Sequence, residues 1–141
     1  MTKFLSFIES MPLIFLTICL FLFFWLMFII QYIYLSYNLK GICKVVFNDD
    51  RYLKLPLEPF NSYFLSCLPL VFWREILNIK KGVKFKKLYE KKFYYPINEV
   101  QLKKMLTQYP KLFYIQYLIL ILGMLLVIFG CLIYISEKFF Q

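Results

Sequence analysis

From Ser10 to Leu39 the chain carries no charged residue, a run of thirty, and from Leu112 to Ser136 a second run of twenty-five is equally free of charge. A helix crosses a hydrocarbon core about 30 Å thick with roughly 20 apolar residues, so each run suffices for one crossing and neither for two. Composition agrees, since 62% of the residues are hydrophobic against about 45–50% apolar in an ordinary soluble domain. The first run is too long for the core of a cleavable signal, which spans about 7–15 residues, and it lacks a small-residue cleavage site. It reads instead as a retained helix from about Pro12 to Tyr37, opened by Pro12, whose missing N–H is harmless in a first turn. The expected fold class is therefore an all-α membrane protein with two transmembrane helices, residues 12–37 and 112–136. A basic, partly helical segment, 38–111, joins them, and short ends, 1–11 and 137–141, lie on the far side.

Charge orients this frame. Residues 1–11 hold Lys3 and Glu9, and residues 137–141 hold Glu137 and Lys138, so the formal net charge of +9 falls entirely between the spans. Residues 40–111 contain fifteen Lys or Arg against six Asp or Glu. Positive charge close to span ends marks the cytoplasmic side. Lys40, Lys44, Arg51 and Lys54 follow the first span, while Lys103, Lys104 and Lys111 precede the second. Both termini are thus expected outside the cytoplasm. Tyr32, Tyr34 and Tyr37, with Tyr109, Tyr114 and Tyr117, mark the inner ends at headgroup level.

The middle segment is not uniformly polar. Pro59 to Trp73 is free of charge, but a helix of that length reaches only about 22 Å, short of a crossing. It could be re-entrant, interfacial, or packed in a small subdomain. A domain of about 60 residues is marginal alone, which favours an interfacial segment with Leu70, Trp73, Ile76 and Leu77 as a stripe facing lipid or the spans. Asn48, Asp49 and Asp50 suit a turn. Nearer the second span, Asn98 is placed to cap an amphipathic helix over 98–109, with Gln101 in the box position. Leu102, Met105, Leu106 and Tyr109 share one of its faces, and Lys103, Lys104, Thr107 and Gln108 the other. Pro110 then opens the second span.

Side chains for catalysis are scarce. There is no histidine, which removes the commonest general base and metal ligand. Cys19, Cys43, Cys67 and Cys131 show no zinc-cluster spacing, Asp49 and Asp50 read as a solvated turn, and the four glycines form no phosphate loop. No enzyme activity, cofactor or metal is expected. Gln31 and Gln116 are positioned to reach headgroups or to hydrogen-bond across the helix pair. Gly123 and Gly130, seven apart on one helix face, mark the better packing surface.

The candidate contact surface is the stretch "KKGVKFKKLYEKK". Lys80, Lys81, Lys84, Lys86, Lys87, Lys91 and Lys92, interleaved with Phe85 and Tyr89 and joined by Lys103 and Lys104, suit an anionic leaflet, where each lysine contributes about 1 kcal/mol. A partner membrane protein or a second copy of the chain would also fit. Nucleic acid is disfavoured because no recognition-fold signature accompanies the lysines.

The layout of an N-terminal span, a basic aromatic middle and a charged helix running into a C-terminal span, best seen in "INEVQLKKMLTQYPKLFYIQYLILIL", resembles that of small bacterial inner-membrane proteins of the universal stress protein B type. The resemblance covers most of the chain and implies a stress-associated membrane protein with no known reaction. It carries over no functional residue. The expected role is a non-enzymatic accessory or scaffold subunit, or a stress-associated membrane protein. A small pore-forming or holin-like protein is the alternative.

Overall fold

The computed structural model describes residues 2–82 and 97–139, with side chains from residue 11 onward. Five helices follow in order: α1 (Thr2–Phe47), α2 (Pro59–Val71), α3 (Trp73–Lys80), α4 (Glu99–Gln108) and α5 (Pro110–Phe139). All regular structure among the described residues is α-helical. The stretches Met11–Phe47 and Pro110–Phe139 are long and apolar enough to cross a membrane, and only 6% and 11% of their most apolar windows are buried. A soluble protein hides its core helices, so such exposure suits a lipid environment.

α1 is longer at both ends than the 12–37 expected from charge. Pro12 lies inside the helix rather than opening it. Proline removes one intrahelical bond, which costs about 3 kcal/mol in a soluble helix but is tolerated in membrane helices, where local adjustment satisfies the freed carbonyl. At the other end the helix continues through Lys40 and Lys44 because its next turns have a face to bury. Gln31, Leu35, Leu39, Ile42 and Val46, spaced by three or four, are all nearly inaccessible, which is one stripe of an α-helix. α1 stops at Asn48, whose φ of 57° is left-handed, a conformation that asparagine adopts at helix ends more readily than most residues. The turn that follows is closed by the Arg51 amide donating to Asp49 Oδ1 at 2.9 Å.

The chain divides into two compact units, Met1–Ile29 with Leu118–Gln141, and Ile30–Tyr117. In the first, a Cβ at Gly123 would meet the Phe24 ring at an ordinary 3.4 Å, and Met27, Ile119 and Leu122 are buried. The second holds the main core, in which Leu35, Leu39, Ile42 and Val46 of α1 pack with Leu57, Leu65, Leu68, Phe72, Ile76, Ile97, Leu102, Met105, Leu112 and Phe113.

That core takes in one face of the segment from Pro59 to Trp73, whose inward stripe, continued into α3, is Leu65, Leu68, Phe72 and Ile76. Of the four residues expected to form a single stripe, only Ile76 is buried, while Trp73 and Leu77 are exposed. Pro69 sits in the last turn of α2, where the bond it removes falls just before the chain leaves α2 at Phe72, whose amide bonds to the Leu68 carbonyl at 3.1 Å, and enters α3.

Candidate polar cleft and basic surface

The second unit is fastened by polar contacts where each local sequence leaves room for them. Gln31 Nε2 donates to Gln116 Oε1 at 2.5 Å, with both side chains buried. A primary amide shut away without a partner costs about 1–3 kcal/mol, so each glutamine is the condition for burying the other. Of the two roles open to these residues, the structure shows the bond across the helix pair. Further along, the Tyr109 phenol lies on the backbone of Gly41, where any Cβ would overlap the hydroxyl and come within 3.0 Å of the ring carbon bearing it. Gly41 is the one glycine of α1. A mid-helix glycine costs about 1 kcal/mol relative to alanine, and here the missing side chain is what lets the ring approach.

α4 is anchored through its cap. Asn98 Oδ1 accepts from the Gln101 amide at 2.8 Å, and Gln101 Oε1 accepts from the Asn98 amide at 2.9 Å, completing the capping box. The remaining end of that side chain, Nε2, donates to the Val46 carbonyl at 3.3 Å, tying the start of α4 to the last turn of α1. Leu102 and Met105 are buried, Leu106 and Tyr109 partly so, and Lys103 and Lys104 face out. Tyr109 ends α4, and Pro110 opens α5.

Between these fastenings lies a cleft of about 400 Å³, lined by Gly41, Lys44, Val45 and Asn48 of α1 and its cap, and by Gln101, Lys104, Gln108 and Tyr109. Residues 41, 44, 45 and 48 recur at helical spacing on α1, as 101, 104 and 108 do on α4, so two helix sides face one another. Among the described residues no carboxylate lines it. Among the described residues the Lys44, Lys104, Asn48 and Gln108 side chains have no ionic or hydrogen-bonding partner, which leaves two cations and two amides turned to whatever enters.

A second cavity, of about 390 Å³, is apolar and lined by Tyr63, Phe64, Cys67, Leu68, Leu70, Val71 and Phe72. The Tyr63 phenol is held above its ordinary pKa, first by hydrogen bonding with the Cys67 side chain and then by the negative charge that side chain carries as a thiolate. Trp73 meets Tyr117 edge-on, with ring centroids 5.1 Å apart. Glu75, in the first turn of α3, is buried, where a helix N-terminus favours a carboxylate.

Of the expected contact residues, Lys80, Lys81, Lys103 and Lys104 are exposed. Lys103 forms an ion pair with Glu99, 2.6 Å apart and one helical turn away. Lys84, Phe85, Lys86, Lys87, Tyr89, Lys91 and Lys92 lie outside the described residues. Gly123 packs near Phe24, whereas Gly130 has nothing within 4 Å of where its Cβ would be. Cys43, beside Lys44, is fully buried, which closes it to lipid attachment in this conformation. No group of three metal-ligating side chains occurs among the described residues. Sequence reasoning missed Lys44, Asn48 and Gln108 as one site because the α1 side of the cleft lies beyond the end assigned to the first span; the signal available was Gly41, alone in a long apolar helix. Compared with protein families, curated proteins and solved structures, the chain matches none.

Proposed function

We propose that the chain is a non-enzymatic, two-span integral protein of a bacterial inner membrane, with both termini outside the cytoplasm, that presents a basic surface to the anionic leaflet as an accessory or scaffold subunit. The observation that carries this reading is the arrangement of the Ile30–Tyr117 unit. Its apolar side chains close on one another in a core, while Lys40, Lys44, Lys54, Lys80, Lys81, Lys103, Lys104 and Lys111 all remain exposed. A folded body tethered to α1 and α5 keeps those cations on the membrane's side of the chain, and their attraction to the headgroups decays over a Debye length, about 8 Å at physiological salt. Aromatic side chains on the same unit, Tyr52, Phe60, Tyr63 and Trp73, are exposed as well, and such rings favour the interface. The role is one of contact, with lipid and with a larger membrane assembly.

Two measurements test it. Cysteine introduced at Lys81 reacts with an impermeant maleimide only from the cytoplasmic side, and cysteine at Lys138 only from the other; labelling of Lys81→Cys from outside overturns the orientation. Affinity purification of crosslinked native membranes returns a stoichiometric protein partner if the subunit role is right. Lipid alone would leave a lipid-binding protein with no assembly to serve.

A further inference from the structure

We propose that the cleft between the last turns of α1 and the outer side of α4 is a binding site for the phosphate of an anionic phospholipid, with Lys44 and Lys104 supplying the charge and Asn48 and Gln108 the orienting amides. This rests on the basic-surface reading and narrows it to one place. Three observations on the molecule converge.

The first is chemical. Every polar side chain among the described residues lining the cleft can donate, and none of them is a carboxylate that would compete for the lysines. A lysine ammonium offers three donors and no acceptor, and an amide NH₂ offers two more, so the lining matches the oxygens of a phosphate. Gln101 spends its own amide on the Asn98 and Val46 backbone and serves as the fixed wall against which the free donors are set.

The second is rigidity. The sides of the cleft are held by the capping box, by the bond from Gln101 to Val46 and by Tyr109 against Gly41. That frame fixes the backbone from which the donors extend, so only their side chains have to order when a ligand arrives.

The third is depth. Tyr32, Tyr34 and Tyr37 mark headgroup level on α1, and Lys44 follows Tyr37 by seven residues, about 10 Å further along the helix axis at 1.5 Å per residue. The cleft therefore lies on the cytoplasmic side of the headgroups, close enough for a headgroup phosphate to be drawn to its lysines.

The test uses the full chain reconstituted in nanodiscs of phosphatidylcholine doped with phosphatidylglycerol, with bound phosphatidylglycerol counted by native mass spectrometry and helix content followed by circular dichroism. The Lys44→Gln/Lys104→Gln variant is expected to lose phosphatidylglycerol retention by about tenfold or more, and Lys80→Gln/Lys81→Gln by less than about twofold. Lys44→Arg/Lys104→Arg retains it. Asn48→Ala/Gln108→Ala, which leaves every charge in place, loses it severalfold and decides the matter should the glutamine pair fail to fold. Equal losses from the two lysine pairs, or none from the Lys44 and Lys104 pair, overturn the cleft while leaving the broader basic surface standing. A wild-type chain with no preference for phosphatidylglycerol over phosphatidylcholine overturns both. Release of the lipid by millimolar inorganic phosphate would show that the site takes the free ion and overturns the assignment to lipid.

Discussion

Gln31 and Gln116 show how a single polar pair sets the cost of change in an apolar setting. Replacing Gln31 with leucine leaves the Gln116 amide buried without its partner, and the expected loss is about 1–3 kcal/mol in water-like terms, nearer 1 kcal/mol where the denatured chain also stays in lipid. Gln31→Leu/Gln116→Leu should recover most of that loss, because both amides go together. Reversible unfolding in mixed micelles measures both, and a double variant as unstable as the single one would refute the account. Gly41 behaves oppositely to helix propensity. Alanine there would add about 1 kcal/mol to an isolated helix, yet in this protein it collides with the Tyr109 hydroxyl, so Gly41→Ala is expected to destabilise. In a Tyr109→Phe background the clash eases and the penalty should shrink, a coupling that a double-mutant cycle reads directly. The need for glycine was written in the sequence only as an unexplained interruption. Its reason, a phenol brought there from the end of α4, depends on a contact between positions 68 apart in the chain.

Among the elements, α4 was the most legible and α2 with α3 the least. Asn98 and Gln101 announce their helix because a capping box is local: both hydrogen bonds form within four residues of chain. Asn98→Ala is expected to cost about 1 kcal/mol and to raise amide exchange in the first turn of α4, including at Gln101. The stripe on α2 and α3 could not be read so directly. Leu65, Leu68, Phe72, Ile76 and Leu77 are all apolar, so pattern alone offers two adjacent faces, and what decides between them is where α1 and α5 lie. Truncating Phe72 or Ile76 to alanine should cost about 2–5 kcal/mol, whereas Leu77→Ala should cost well under half as much because that side chain is exposed. Equal losses would mean that the inward face has been misassigned. The size argument against a packed subdomain counted only the residues between the spans, while Leu35, Leu39, Ile42 and Val46 of α1 and Leu112 and Phe113 of α5 supply part of the core.

At the scale of the whole molecule, Met11–Phe47 and Pro110–Phe139 are each long and apolar enough to cross a membrane. Alkaline carbonate should leave the chain in the membrane pellet, since the exposed apolar sides of Met11–Phe47 and Pro110–Phe139 have no other solvent; appearance in the supernatant would refute a spanning protein. Two helices long and apolar enough to cross were legible from charge alone, because the absence of Lys, Arg, Asp and Glu over a bilayer's thickness needs no tertiary information. The cleft was not, because its halves lie more than 50 residues apart in the chain. The glutamine pair also bears on assembly. Either rod entering oil by itself would carry a thirsty amide with it, so the cheaper route is for the second to arrive while the first can still shift, and for both to settle at the level where the two amides meet. Delay in synthesis between residues 31 and 116 should then leave more chains stranded with only the leading rod threaded.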